Sequence, residues 1–202
     1  LKKIGNTNKP VIISTGMSSL NEISDSINFI KKYCNNFSLM QCTSAYPTLP
    51  NEWGLNVIRE LKDLYNIPVG FSDHSGSIYP CLAAAALGSD LFEFHVVFDK
   101  DQFGPDTIAS ITIDQVGILS EGIHRIKESL NNPLDKNDNE KFQDLKVIFG
   151  RSVAVNKNLK AGHIIHFDDI ETIKPFGKGL SIDIFESIIG KRINKDLRKW
   201  SF

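Results

Sequence analysis

Ile67-Pro68-Val69-Gly70-Phe71-Ser72-Asp73-His74-Ser75-Gly76, continuing through Ser77–Leu87 to Gly88, reads as one strand, one polar turn and one helix. Ile67 to Phe71 is an apolar run of strand length. Ser72, Asp73 and His74 stand at its carboxyl end. Ser77 to Leu87 is an alanine-rich helix, and Gly88 is placed to end it in a left-handed conformation. The same unit recurs on both sides. Upstream, Val11 to Gly16 is a strand closing on small polar residues. A helix from about Ser19 to Tyr33 follows, with Leu20, Ile23, Ile27 and Ile30 at helical spacing and Ser19 and Glu22 placed as a capping box. Phe37 to Cys42 is a second strand, and Leu55 to Tyr65 a helix with Leu55, Ile58, Leu61 and Leu64 on one side. Downstream, Leu91 to Val97 is a strand and Asp114 to Leu130 a helix. Four βα units result, and their parallel strands require right-handed crossovers.

Four such units suit either an open doubly wound sheet or half of an eight-unit barrel. No G-x-G-x-x-G follows any strand, which argues against a dinucleotide site. Polar residues cluster at the carboxyl ends of the strands: Ser14-Thr15, Thr43-Ser44, Ser72-Asp73-His74, and Glu93 with His95. Both architectures build their sites there, so the clustering does not choose between them.

The pattern changes after the fourth helix. Asn131 to Lys146, rich in Asn, Asp and Lys, reads as a linker or exposed connection. Ser152 to Val155 is β-like, His163 to His166 is a second strand candidate, Phe176 to Gly179 is a loop, and Ser181 to Ile189 is a short helix with Gly190 near its stop. The expected division is residues 1–135, a linker at 136–146, and a small β-rich module at 147–202.

Composition narrows the class. Lys and Arg total 23 against 24 Asp and Glu, so no net field steers the chain toward nucleic acid or an anionic membrane. Hydrophobic residues make up 41% and charged residues 23%, ordinary for a globular chain. No apolar run approaches the ~20 residues of a membrane span, and nothing at the start resembles a signal peptide. Cys34, Cys42 and Cys81 form neither a disulfide framework nor a C-x-x-C pair, which fits a reducing cytoplasm. The chain opens on Leu1 with a strand close behind, as expected of a fragment or a processed product.

His74 and His95 stand near the carboxyl ends of consecutive strands, which lie about 4.8 Å apart in a sheet. Both imidazoles can meet on one metal ion if both point to the same layer, leaving open positions for water and a substrate oxygen. The alternative is two hydrogen-bonded structural histidines. Glu93 and His95, two apart on a strand, face the same side, so a carboxylate stands beside one candidate ligand. His124, His163 and His166 read as surface or structural. Lys9, Ser14, Thr15, Ser44, Tyr46 and Ser72 supply a cation, hydroxyls and helix N-termini for an anionic ligand, although each alone is an ordinary cap or turn residue.

Together these segments resemble the sialic acid synthase family, which includes N-acetylneuraminate, legionaminate and pseudaminate synthases. The resemblance rests on Lys9-Pro10-Val11-Ile12-Ile13-Ser14-Thr15-Gly16-Met17, Cys42-Thr43-Ser44-Ala45-Tyr46-Pro47-Thr48, Gly70–Gly76, Glu93-Phe94-His95 and Phe103-Gly104-Pro105-Asp106, in family order. Phe149-Gly150-Arg151-Ser152 through Gly190-Lys191-Arg192 looks like the family's antifreeze-like (SAF, β-clip) domain. The resemblance implies a TIM (β/α)8 barrel, of which this chain supplies strands five to eight, followed by that small domain. It implies condensation of phosphoenolpyruvate with an N-acetylmannosamine-type sugar aldehyde, giving a nine-carbon 2-keto sugar acid and phosphate. By motif match, His74 and His95 hold a divalent metal, commonly Mn2+, with Mg2+ or Co2+ as alternatives. Lys9, Ser14, Ser44, Tyr46 and Ser72 surround phosphoenolpyruvate. Glu93 joins the two histidines in the catalytic group. It further implies a homodimer in which the small domain reaches across to the partner's site.

Two departures matter. The family's first four βα units are absent, and half a barrel exposes sheet edges, so the chain alone is expected to be inactive or very weak. Lys174-Pro175 stands where the family usually has Arg-Pro, keeping the charge and losing the guanidinium fork. The competing readings are another metal-dependent barrel aldolase and a non-catalytic binding module.

Overall fold

The computed structural model describes residues 1–202 apart from Asn8 and Asn139. Among the described residues the chain divides into two compact units, Leu1–Pro133 and Leu134–Phe202.

In the first unit a single helical turn, α1 (Lys2–Gly5), precedes an alternation of strands and helices: β1 (Val11–Ser14), α2 (Leu20–Ile30), β2 (Phe37–Cys42), α3 (Leu55–Tyr65), β3 (Val69–Asp73), α4 (Tyr79–Ala86), β4 (Phe92–Val97), β5 (Ser110–Thr112) and α5 (Ile113–Asn131). The sheet has five strands where the sequence predicts four. They pair in parallel in chain order, β1-β2-β3-β4-β5. The extra strand is Ser110-Ile111-Thr112, which is too short to display an alternation.

Local chemistry explains the helix ends. Ser19 Oγ accepts from the Glu22 amide, and the Glu22 carboxylate accepts from the Ser19 amide at 2.8 Å, the reciprocal cap expected at α2. The bond from the Ser19 backbone, and after it one that the Ser19 hydroxyl donates to the same carboxylate at 2.7 Å, hold the Glu22 carboxyl below its usual pKa. Thr112 and Gln115 repeat the device at α5. Helix α3 lies between Gly54 and Asn66, both left-handed, and Gly88 leaves α4 at φ 84° as its position predicts.

One core joins the helices to the sheet. Val11, Phe37, Leu39, Val69, Phe71 and Ile111 pack with Ile23, Ile27, Ile30, Ile58, Leu61, Cys81, Ala84 and Leu119. Strand alternation sends the intervening residues to the other face. Register aligns them in rows: Ser14 beside Met40 and Gly70, then Cys42 beside Ser72 and Glu93, then His95 beside Ser110. Gly70 must be glycine here, because a Cβ would run into the Met40 sulfur and Leu91. In a doubly wound sheet the strand order reverses and helices cover both faces. Here the order follows the chain and α2 to α5 share one core.

The first α-helix of the second unit is α6 (Gln143–Phe149), whose first four residues fall in the segment read from sequence as a connection. The Asn- and Asp-rich tract before it hides the helical spacing of Phe142, Leu145 and Phe149. Strands β6 (Ser152–Val155), β7 (Ile170–Ile173) and β8 (Leu180–Ser181) form an antiparallel sheet in the order β7-β6-β8, and α7 (Phe185–Ile188) follows. The strand expected at His163–His166 is reduced to a bridge between Ile164 and Arg192. Val153, Val155, Leu159, Ile165, Ile170 and Ile188 make the small core. Beside it, Asp169 is 2% exposed and gathers three donors: Lys157 Nζ at 2.5 Å, His163 Nε2 at 2.6 Å and the His166 amide at 2.8 Å. Among the described residues no helix is long and apolar enough to cross a membrane.

Candidate active site

Strands β2, β3 and β4 deliver the candidate residues at their carboxyl ends. His74 follows β3, and its ring is buried at 5% exposure. Its Nδ1 lies 3.0 Å from the Thr43 carbonyl, which can only accept, so Nδ1 carries the proton. In the neutral ring Nε2 is therefore an acceptor. The Tyr46 hydroxyl donates to it at 3.2 Å, and the two rings stack at 4.2 Å between centroids. His95, on β4, places its ring centroid 5.2 Å from that of His74 and 5.7 Å from that of Tyr46. Glu93 points to the same layer, where Ser72 Oγ donates to its Oε1 at 2.7 Å.

Electrostatics follow from this crowding. Loss of solvent raises the Tyr46 phenol above its ordinary pKa, and the negative charges of Cys42, Asp106 and Glu93 push the same way. Tyr46 therefore stays protonated at neutral pH and remains a donor. Asp73 points to the helix side, opposite His74. Burial raises its pKa, and the opposing contribution comes first from Ser75. The Ser75 amide and hydroxyl donate to Asp73 at 3.1 and 3.0 Å, and Ser75 Oγ accepts from the Ser77 amide at 3.1 Å. These bonds fix the turn that carries His74.

The structure thus brings together His74, His95, Glu93, Tyr46 and Ser72. Ser14 ends β1 in the next row of the same face, and Ser44 lies in the loop after β2, both exposed. Gly16 lets the β1 and β2 loops approach, since a Cβ there would stand 2.6 Å from Ser44 Oγ. Lys9 does not join the group. Its backbone precedes β1, and the four residues of that strand, roughly 13 Å of chain, separate it from the end bearing Ser14. Asp106 is a site residue to which the sequence assigned no role: its Oδ2 lies 3.7 Å from His95 Nδ1, beyond hydrogen-bond range but close enough to act as a charge. An acid in the connection after the His95 strand was the available signal. Thr43 acts through its carbonyl, which no residue-type pattern reveals.

No cluster of three or more His, Cys, Asp or Glu side chains with metal-holding geometry occurs among the described residues. A site here must therefore rest on two imidazoles plus water and substrate. An imidazole nitrogen about 2.1 Å from an ion puts the ring centre about 3.2 Å away, and two rings at a tetrahedral angle then stand about 5 Å apart. The rings stand at 5.2 Å. The Nδ1–H of His74 bound to a backbone carbonyl also leaves Nε2, where Tyr46 now donates, as the nitrogen a cation would take. The ring separation and the His74 tautomer are those a shared divalent ion requires, and the separation is also that of an edge-to-face ring contact.

A parallel α/β sheet that gathers two imidazoles, a phenol, a carboxylate and serines at the carboxyl ends of its strands has the makings of an enzyme site. The chain belongs to the NeuB family, whose model matches residues 1–134. It is 33% identical over 202 residues to the N,N'-diacetyllegionaminic acid synthase of Campylobacter jejuni, covering 98% of this chain and 60% of that relative. It is 30% identical to the human N-acetylneuraminate-9-phosphate synthase, covering 96% of this chain and 54% of that protein. Among solved structures, the N-acetylneuraminic acid (sialic acid) synthetase of Leptospira borgpetersenii, in complex with citrate, superposes with a TM-score of 0.64 at 29% identity, covering 71% of this chain and 51% of that one. The Bacillus subtilis spore coat polysaccharide biosynthesis protein spsE, at 24% identity, shares the fold with a TM-score of 0.62 over 98% of this chain and 60% of its own. The chain therefore spans little more than half the length of these relatives.

Proposed function

We propose that this chain carries the catalytic C-terminal part of a sialic-acid-type synthase that joins phosphoenolpyruvate to an N-acetylmannosamine-type aldehyde. The observation carrying this reading is the convergence of His74, His95, Tyr46 and Glu93 at the carboxyl ends of β2 to β4. The parallel sheet is then the C-terminal part of a (β/α)8 barrel, with β5 as its last strand in place of the four-strand limit read from sequence, and the second unit is the antifreeze-like domain of a cytoplasmic homodimer. In the reaction, C3 of phosphoenolpyruvate bonds to the aldehyde carbon, whose oxygen takes a proton to become a hydroxyl. Water adds at C2, and the C–O bond to phosphate breaks to leave a keto acid.

A divalent ion bound at His74 and His95, Mn2+ foremost, supplies Lewis-acid polarisation of the aldehyde oxygen. The chain's own residues align the reactants and hold charge. Ser72 occupies one oxygen of Glu93 and leaves the other free to orient the sugar or the attacking water. Ser14, Ser44 and the protonated Tyr46 are donors for the carboxylate and phosphate of phosphoenolpyruvate.

Tyr46 and a cation compete for the one lone pair on His74 Nε2. Tyr46→Phe is therefore expected to tighten Mn2+ binding by about 2- to 10-fold, the worth of one hydrogen bond. The same change is expected to weaken phosphoenolpyruvate binding by a similar factor, both read by calorimetry. Unchanged values for both ligands would remove Tyr46 from the site.

The reading as a whole is tested by assaying phosphate release from phosphoenolpyruvate with Mn2+ and N-acetylmannosamine. The chain alone is expected to show negligible turnover. Fused behind the N-terminal half of the Campylobacter jejuni relative, it is expected to release phosphate in step with keto-acid formation. A folded fusion that binds Mn2+ yet releases no phosphate with any N-acetylated hexose tried would overturn the assignment.

A further inference from the structure

Lys100 lies just beyond β4, on the connection of residues 98–109 that leads to β5. Its ammonium donates to two main-chain carbonyls on different segments, that of Gly76 at 3.1 Å and that of Ser110. Gly76 is two residues beyond His74 in the β3–α4 turn, and its left-handed backbone, φ 70°, presses against the Ile108 carbonyl so closely that a Cβ would collide with it. Ser110 is the register partner of His95, and its hydroxyl donates to the Asp106 carbonyl at 2.7 Å. One carbonyl thus belongs to the turn that carries His74. The other belongs to the segment that abuts His95 and anchors Asp106.

Two carbonyl oxygens repel as they converge, because each is the negative end of its peptide dipole. A cation between them reverses that preference, and its hydrogen bonds are stronger than neutral ones. The Asp73–Ser75–Ser77 bonds fix the β3–α4 turn within itself but tie it to nothing on the β5 side. We infer that Lys100 is a positioning residue: its ammonium staples the His74 turn to the β4–β5 connection and so sets the separation of the two histidines. This rests on the reading of His74 and His95 as a working pair.

The test uses the chain itself with Lys100→Met, which keeps the length and removes the charge, and Lys100→Arg, which keeps the charge. In Lys100→Met, amide exchange at residues 75–77 and 108–110 is expected to quicken about 10-fold, as for loss of a charge-assisted bond, while residues 37–42 keep their wild-type rates. The ring resonances of His74 and His95 are expected to shift. Mn2+ affinity is expected to fall about 10-fold, the effect of a lost supporting bond, and Lys100→Arg is expected to recover most of each change. A general loosening, with 37–42 exchanging faster in proportion, would mean that Lys100 only stabilises the unit. Unmoved ring resonances and loop exchange would mean that the staple is idle. If the wild-type chain bound no Mn2+, the metal reading would fail by itself, and the staple would still be judged on exchange and ring resonances.

Discussion

Replacing His74 by alanine is expected to lower divalent-metal affinity by about 100-fold or more, since loss of even a supporting contact to a metal ligand costs 10- to 100-fold. His95→Ala should lose as much, because no third protein donor stands ready among the described residues. Stability is expected to separate the two. His74 is buried, donates to the Thr43 carbonyl and accepts from Tyr46, so its removal forfeits two hydrogen bonds and should cost about 1–3 kcal/mol, although the Thr43 carbonyl keeps the Ala45 amide as a donor. His95 is one-third exposed and stands 3.7 Å from Asp106 without a hydrogen bond, so its removal should be felt in binding far more than in folding. His124→Ala, on the exposed surface of α5 with its Nδ1 near the Ser120 carbonyl, is the control and should change neither. Calorimetric titration with Mn2+ and urea denaturation read the two quantities. Full metal affinity in either single variant would show that the imidazoles are hydrogen-bonded scaffolding and that any ion binds elsewhere.

How much of this was legible in the sequence depended on what kind of signal each feature leaves. The helices that bury one face, α2 and α3, were visible because Ile23, Ile27 and Ile30, and Ile58 and Leu61, repeat at helical spacing. The capping box at Ser19 was visible because it is a local pattern of two side chains. Strand β5 and helix α6 were not: one is too short to alternate, and the other follows a polar tract and buries none of its residues. Glu93 and His95 could be placed on one side of their strand from periodicity, whereas whether His74 shares that layer depended on the register between strands, which the sequence left open. Lys9 precedes Val11, so its place at the amino end of β1 was legible, and grouping it with residues at the carboxyl ends overlooked the length of the strand between. The groups that hold the site are largely main-chain atoms: the Thr43 carbonyl on His74, and the Gly76 and Ser110 carbonyls on Lys100. Every residue has a carbonyl, so no sequence pattern marks these.

Asp169 was equally silent, since no sequence pattern marks it, yet Asp169→Asn is expected to destabilise the second unit by a large share of its stability. The carboxylate is out of contact with solvent but shallow beneath the surface. Lys157 holds its pKa well below the usual carboxylate range, with further help from His163 and the His166 amide. An asparagine has one acceptor oxygen where the native side chain has two. If that oxygen faces His163 and His166, the amide hydrogens face the Lys157 ammonium, and donor meets donor. Removing one member of a buried charge pair costs about 3–5 kcal/mol, and the half-solvated Lys157 brings the expectation down to about 2–3 kcal/mol. At roughly 0.1 kcal/mol per residue the whole unit holds about 7 kcal/mol, so this loss removes about a third or more of its stability without unfolding it. Exchange at residues 152–155 and 170–173 should therefore accelerate sharply while 37–42 and 69–73 hold their rates. The sign of the pH dependence follows. Because the folded pKa is depressed, Asp169 stabilises the native unit fully above the unfolded carboxylate value of about 4, and that contribution is lost as pH falls toward the lower folded value. Asp169→Asn should erase this part of the acid sensitivity. An unaltered acid profile together with unaltered exchange in β6 and β7 would mean that the three donors tolerate an amide, and that the apolar core around Val153 and Ile170 suffices to hold the unit.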